Sequence, residues 1–585
     1  MGKTLLRKEN KIFFANPPSG SFCFELNIHA IIRLMKNVLK IILFSIIFSL
    51  LSPISVMAVN YAKISKFESS VNKMLIYYSD TENKNYFLCD LISLNCDSAT
   101  ESTKIETVPQ EETVSPKLPK LKTGASRLTY SQNKSFLAYY VSSKTNGSKK
   151  RSFNLVDIKK QKTYSTSGYE YYWDLLTEQV REFNFSPDEK KFIYLDDKNG
   201  FPSLYLVNTN KLSGKSLSGK QLTGKYSISE FVFWDNDTIF FIANRAGVYN
   251  WDLYEYKISI NKIIKIAENS AHTSILRKTD KYLIYPEISG DQTNLIFYDV
   301  INKTKNRLNI PGITQKTLLE KTGEPVKIGS IYGVLMKPDN FSKTESYPLI
   351  IWLHGGPYRQ TSIGYNSYLS YSGYDFMMEE ARNARAIVLK LDYLGSYGYG
   401  RKFAGSIVKN VGKGDVSNVM EAIKFVKKQA KIDGVFLTGN SYGGYLSLRT
   451  LVAYPKEISG VLSINGVTNW NTLLTKLRTS IFNVDFGGLP SKKNTSLYSK
   501  ASIISRLDGL KDQKIIIAQS ENDNTIFPSQ AYTLNDLLKE KNKNVTLVTY
   551  PEEDHVFAKK SSIEDLCKQL FGLSNLPTEN RCKMY

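Results

Sequence analysis

From about residue 60 to 310 the chain alternates short apolar, aromatic-rich runs with polar Asp/Asn/Gly turns. Five stretches share this design: "NKMLIYYSDTENKNYFLCDL", "NKSFLAYYVSSKTNGSKKRSFNLVDI", "EKKFIYLDDKNGFPSLYLVNT", "NDTIFFIANRAGVYNWDLYEYKI" and "DKYLIYPEISGDQTNLIFYDVI". Each reads as a strand, a turn and a second strand. Their central aromatics, Tyr77, Tyr139, Tyr194, Phe241 and Tyr285, recur every 44 to 62 residues. Repeats of this length built only of strands predict propeller blades, with one or two further degenerate units.

After Lys327 the period changes. Apolar runs at 347–353, 386–391, 434–439, 460–466, 514–520 and 545–550 alternate with helical segments. In "GDVSNVMEAIKFVKKQA", Val416, Val419, Met420, Ile423 and Val426 share one helical face, and Asp415 is placed to cap it. Near-continuous apolar strands between helices predict a mostly parallel sheet covered on both faces. The expected organisation is an all-β propeller over 59–320 followed by an α/β-hydrolase domain over 321–585.

The N-terminus has another character. Lys36 and Lys40 precede "IILFSIIFSLLSPISVMA", an apolar stretch ending in Val56-Met57-Ala58. This reads as a signal peptide over 35–58 cleaved after Ala58, with 1–34 an upstream extension and Met35 the expected start. The uninterrupted run Ile41–Leu51 falls short of the ~20 residues a spanning helix needs, so no stable membrane anchor is expected. The net charge is +22, and removal of 1–58 leaves +17. Its lysines are dispersed rather than striped, which argues against a nucleic-acid partner. Cys89 and Cys96, then Cys567 and Cys582, form two local pairs and are expected as disulfides of an exported, periplasmic or secreted protein. Neither pair has zinc spacing.

Chemistry concentrates in the second half. "GNSYGGY" puts Ser441 between an apolar strand and a helix, the setting of a nucleophile elbow, with the Tyr442 N–H at the helix start facing a developing oxyanion. A serine hydroxyl needs a base. Of the four histidines, His29 lies in the removed segment and His272 in the propeller half, and His555 in "YPEEDHVF" alone follows Ser441. The orienting acid is expected after the preceding strand, where "QSENDNTIFP" offers Glu521 and Asp523; Asp523 lies further into the loop. "WLHGGPY" ends the first strand of this half, so Gly355 or Gly356 is expected to give a second oxyanion donor, with His354 structural. The same triad would serve an esterase. A non-catalytic propeller binding protein is the third reading, which the intact Ser441/Asp523/His555 set argues against.

A propeller followed by "HGGPY", "LGSYGYGRKF", "GNSYGGY", "QSENDNTIFP" and "DHVF" in that order resembles the prolyl oligopeptidase family of serine peptidases, in its acylaminoacyl-peptidase and dipeptidyl-peptidase-like branch. The resemblance covers nearly all of 60–570. It implies Ser441, Asp523 and His555 as triad, Tyr442 and the Gly355 region as oxyanion hole, short peptides as substrates, and no metal or organic cofactor. Tyr442 and Trp470 are expected to line the substrate pocket, and an oligomer is compatible with the sequence. Two positions depart from the family pattern. Leu394 stands where Arg usually precedes Gly395-Ser396, and Thr525 where many relatives carry Arg or Asn. No trusted Glu-Glu pair offers to capture a substrate N-terminus (Glu111-Glu112 sits in a linker-like stretch), so dipeptidyl cleavage does not follow.

Overall fold

The structure is a computed structural model that describes residues 61–68, 73–79, 84–104, 117–145, 148–167, 183–268, 276–289, 292–308, 323–364, 371–477 and 481–584, with two-residue strands at 7–8, 11–12, 26–27 and 169–170. The expected signal segment 35–58, Cys23, His29, Glu111, Glu112 and His272 lie outside the described residues.

Residues 61–307 form a succession of small antiparallel meanders. These are β1–β4 (Tyr61–Glu68, Lys73–Ser79, Lys84–Asp90, Cys96–Ala99) and β5–β8 (Ala125–Tyr130, Phe136–Thr145, Ser148–Asp157, Lys162–Ser165). Next come β9–β12 (Phe183–Phe185, Lys191–Asp196, Ser203–Asn208, Lys220–Gln221) and β13–β16 (Ile228–Phe233, Thr238–Ala243, Asp252–Lys257, Lys262–Ala267). The last is β17–β20 (Arg277–Lys278, Tyr282–Ser289, Gln292–Asp299, Thr304–Arg307). Within each, strands pair in chain order, and a parallel pairing of Tyr61 with Thr293 joins the first meander to the last. All five repeating aromatics fall on the second strand of their meander. Tyr139, Tyr194, Phe241 and Tyr285 are fully buried there. The repeat exists because each meander buries the same strand against its neighbours. Cys89 and Cys96 face each other directly across β3 and β4 and are joined as a disulfide.

Residues 324–550 form one eight-stranded sheet. Its strands are β21–β24 (Glu324–Ile328, Ile331–Met336, Ser346–Leu353, Ile387–Asp392) and β25–β28 (Lys431–Asn440, Gly460–Ile464, Lys514–Ser520, Val545–Tyr550), in the order β21-β22-β24-β23-β25-β26-β27-β28. All pairings from β24 to β28 are parallel. The helices are α1 (Ser372–Asn383), α2 (Arg401–Ala404), α3 (Gly414–Lys427), α4 (Tyr442–Ala453), α5 (Trp470–Leu477), α6 (Thr495–Ala501), α7 (Ser529–Glu540) and α8 (Lys560–Ser574).

Both faces of the central strands are covered, which is why those strands read as unbroken apolar runs. On β23, Leu349, Ile351 and Leu353 pack with α3, α4 and α7, while Ile350 and Trp352 pack with α1 and α8. Cys567 of α8 is bonded to Cys582. Among the described residues no helix is long and apolar enough to cross a membrane.

Asp415 differs from expectation. Lys413 holds the N-cap position of α3, and Asp415 sits inside the first turn. Its carboxylate is fully buried and accepts from the Gly412 N–H at 3.1 Å, the Val416 N–H at 2.9 Å and the Tyr442 hydroxyl at 2.6 Å. A tertiary partner on α4 has taken the side chain that local chemistry would send to the helix end.

Candidate active site

Strand β25 ends at Asn440 and α4 begins at Tyr442, so Ser441 alone makes the turn. Its backbone is strained into φ 60°, ψ −118°. Glycine is required around it by close approach. A Cβ on Gly443 would lie 1.8 Å from the Leu353 carbonyl oxygen, and one on Gly439 would lie 2.2 Å from the same atom. Parallel strands β23 and β25 with α4 leave no room for a side chain there.

The loops after β27 and β28 converge on this turn. His555 Nδ1 donates to Asp523 Oδ2 at 2.7 Å, and the Ser441 hydroxyl lies 3.0 Å from His555 Nε2. Asp523 is buried, and its other oxygen accepts from the Thr525 and Ile526 N–H groups at 2.7 and 2.8 Å. Those two bonds hold the carboxylate on the ring's Nδ1 side, leaving Nε2 to take a proton from the hydroxyl. Glu521, the other candidate acid, is exposed. Ser441 is 6% and the His555 side chain 23% exposed.

Gly355 packs against the nucleophile. A Cβ there would lie 3.2 Å from Ser441 Cβ, 2.9 Å from the Asn440 carbonyl oxygen and 2.5 Å from the Tyr371 hydroxyl. Gly356 follows with φ 127°, a conformation open to glycine. The Tyr442 N–H is at the first position of α4, where no intrahelical acceptor exists. His354 is buried; its Nδ1 donates to the Gly355 carbonyl at 2.8 Å, and its Nε2 faces Ser396 Oγ at 2.9 Å and Asp392 Oδ1 at 3.2 Å.

The pocket expected at Tyr442 and Trp470 needs correction. Both rings are fully buried in the core, Tyr442 directed at Asp415 and Trp470 packed among Tyr445, Phe482 and Phe486. Burial and the Asp415 charge push the Tyr442 hydroxyl well above its ordinary value, so it is a permanent donor to that carboxylate.

Sequence reasoning missed a contribution from the N-terminal half. Tyr249, between β14 and β15, donates to Asp392 Oδ2 at 2.9 Å; Tyr399 donates to the same oxygen and the Thr361 N–H to the other. Trp251 donates to Gln360 at 2.8 Å and stacks on Tyr397. One donor from the N-terminal half thus joins two from the C-terminal half on the carboxylate that faces His354. A linear signal for a contact 143 residues apart does not exist.

Two family models match in chain order: the Dipeptidyl peptidase IV (DPP IV) N-terminal region over 98–294, and the Prolyl oligopeptidase family over 373–573. The chain belongs to the prolyl oligopeptidase family. Dipeptidyl aminopeptidase BIII of Pseudoxanthomonas mexicana is 29% identical over 228 residues, covering 36% of this chain and 30% of that protein. The chain spans about a third of the length of the curated relatives it matches. A Porphyromonas gingivalis dipeptidyl peptidase 4 structure aligns with a TM-score of 0.61 at 14% identity, over 86% of this chain and 73% of that one. A puromycin-hydrolyzing peptidase of Mycobacterium tuberculosis aligns with a TM-score of 0.62 at 13% identity, over 88% and 80%. These structures share the fold of this prolyl oligopeptidase family member, in which an N-terminal run of small sheets precedes the α/β half.

Proposed function

We propose that the chain is an exported serine peptidase that hydrolyses short peptides through an acyl-enzyme. Ser441 is the nucleophile, His555 the general base and then acid, and Asp523 the orienting acid. Ser441 Oγ attacks the scissile carbonyl carbon while His555 Nε2 takes its proton. The tetrahedral oxyanion is received by the Tyr442 N–H and an N–H of the Gly355–Gly356 stretch. The imidazolium then protonates the leaving amine, and water, activated by the same ring, releases the acid and restores Ser441.

The observation that carries this reading is the imidazole engaged on both sides, at 2.7 Å by Asp523 and 3.0 Å from Ser441 Oγ, above a strained strand-to-helix turn. The five meanders, with the Tyr61–Thr293 pairing between first and last, support a propeller over 59–320 that admits oligopeptides and excludes folded proteins. Two disulfides and the segment 35–58 support export.

The test is hydrolysis of a panel of short peptide amides, free and N-blocked, beside simple aryl esters, by the wild type and Ser441→Ala. The expected outcome is amide cleavage that falls by roughly 10³-fold or more in the variant. The preference between free and blocked peptides assigns the branch. Ester cleavage alone would replace the peptidase reading with a carboxylesterase, and a folded but inactive wild type would leave a binding protein.

A further inference from the structure

His555 lies on the loop that follows β28, and a general base is useful only if its backbone is fixed relative to the nucleophile. Bonds on either side hold that loop. The Glu553 carboxylate accepts from the Ala558 and Lys559 N–H groups at 2.8 and 2.9 Å, and the Phe557 N–H reaches the Tyr374 hydroxyl at 3.2 Å. At His555 itself the contact is of another kind. Its carbonyl oxygen accepts from two side-chain amides, Asn465 Nδ2 at 2.9 Å and Asn440 Nδ2 at 3.2 Å.

Both asparagines are fully buried and sit at the ends of adjacent parallel strands. Asn440 is the residue before Ser441. Asn465 follows β26 with φ 47°, its N–H bonded to the Ala518 carbonyl at 2.9 Å and its Oδ1 accepting the Ser520 N–H at 2.7 Å. Ser520 ends β27, the strand whose following loop carries Asp523. One amide therefore ties the ends of β26 and β27 to the base, and the other ties the residue beside the nucleophile to the base. A carbonyl oxygen has two lone pairs, and here each has a donor held by a strand end.

We propose that Asn465, seconded by Asn440, is a positioning residue that sets the His555 imidazole between Asp523 and Ser441. The inference rests on the peptidase reading above. Reactions between held groups lose about 10²-fold for a misplacement of 1 Å, so a clamp of this kind acts on turnover rather than on substrate binding.

The experiment uses the full chain and the peptide amide that the wild type cleaves best. Asn465→Gly keeps the positive φ and removes the amide. Asn465→Asp keeps the acceptor for the Ser520 N–H and sets a carboxylate oxygen against the His555 carbonyl. The expected result is a kcat lowered roughly 10-fold in Asn465→Gly and more in Asn465→Asp, with KM within about twofold of wild type. Asn440→Ala alone has a smaller effect, and Asn440→Ala/Asn465→Gly exceeds the product of the single losses, because each amide covers in part for the other. Should the glycine variant fail to fold, Asn465→Asp carries the test, since it preserves shape and the Ser520 bond. An active wild type with unchanged kcat in the variants overturns the positioning role alone. So does a kcat loss that only tracks the unfolded fraction in thermal melts, which is a purely structural role. An inactive wild type overturns the peptidase reading and this inference with it.

Discussion

The two halves of the chain both bury apolar cores but arrange them differently. In the N-terminal meanders neighbouring strands are neighbours in sequence, and the same position in successive units carries a buried aromatic. Tyr194 stacks on its cross-strand partner Tyr205, and Phe241 on Tyr254, both with ring centres 5.5 Å apart. In the C-terminal half the parallel strands are separated in sequence by helices, and Leu, Ile and Val fill two faces of one sheet. A parallel sheet sends the C-terminal ends of its strands to one edge, so loops distant in sequence meet there. Ser441, Asp523 and His555 follow three such strands. The meanders have no such edge and repeat a unit instead. One of their contacts with the C-terminal half is the hydroxyl of Tyr249 on Asp392.

That contrast breaks most sharply at the acid. Asp523→Asn replaces one acceptor oxygen by a donor beside Nδ1 and favours the wrong tautomer, so kcat is expected to fall by roughly 10³–10⁴-fold with thermal stability little changed. No single substitution of a buried aromatic in the meanders should approach this on activity without unfolding the protein. A peptide-amide assay beside a thermal melt compares them directly.

The next effect is on stability. Gly443→Ala drives a Cβ to 1.8 Å from the Leu353 carbonyl oxygen, a backbone atom of the central strand, and is expected to cost at least about 3 kcal/mol. Gly219→Ala in the third meander brings its Cβ to 3.0 Å from Tyr205 Cβ, 3.1 Å from a Tyr194 ring atom and 3.2 Å from the Leu206 carbonyl oxygen. Contacts of 3.0 Å and more are relieved by a shift of tenths of an ångström where one of 1.8 Å is not, so about 1 kcal/mol is expected there. Equal losses in denaturant titrations would refute the claim that the elbow is the tighter of the two sites.

Tyr249→Phe tests whether the halves act as one. It leaves a buried carboxylate with one donor fewer, an expected loss of about 1–3 kcal/mol. Because Asp392 faces His354, whose ring is bonded to the Gly355 carbonyl, kcat should fall several-fold with KM nearly constant. Loss of stability without loss of kcat would separate the meanders from the chemistry.

What sequence made legible follows the same division. The recurring aromatics marked the second strand of each meander because the repeat is local. The run at 514–520 coincides with β27, because burial on both faces writes an unbroken apolar stretch, and 545–550 coincides with the partly exposed edge strand β28, where Val and Leu are interrupted by Thr. Ser441, Asp523 and His555 could be named in order because each directly follows a strand. The antiparallel pair β21–β22 went unseen: each strand is short, and "EPVKIGSIYGVLM" carries little more than its Gly-Ser turn. Asp415 has the chemistry of a cap, yet a tyrosine on the next helix claims it. Tyr442 and Trp470 have the chemistry of a pocket wall, yet the core claims both. In each case a partner brought close only by folding outweighs the local signal.

The smallest expected effect lies in the first meander and depends on pH. Asp90 stands at the β3–β4 turn beside Cys89. Its carboxylate accepts from the Ser93 N–H at 2.8 Å, the Ile92 N–H at 3.0 Å, the Ser93 hydroxyl at 3.0 Å and Lys73 Nζ at 3.1 Å. The Ser93 N–H is the largest cause of a pKa lowered from 3.8 to about 2. A lowered carboxylate pKa means that the unfolded chain binds the proton more readily, so the stabilisation is complete above about pH 4 and is lost as the pH falls toward 2. The side chain is 32% exposed, and solvent screening limits the effect to about 1 kcal/mol. Asp90→Asn should therefore melt earlier than wild type at pH 6 and converge with it near pH 2. In the C-terminal half, burial as the leading cause holds the Asp415 carboxyl above its ordinary value, so its contribution has the opposite sign and declines as the pH rises. Thermal melts of wild type and Asp90→Asn across pH 2–6 measure the turn's share. A gap that widens toward pH 2 would mean that the carboxylate is not what fastens this turn.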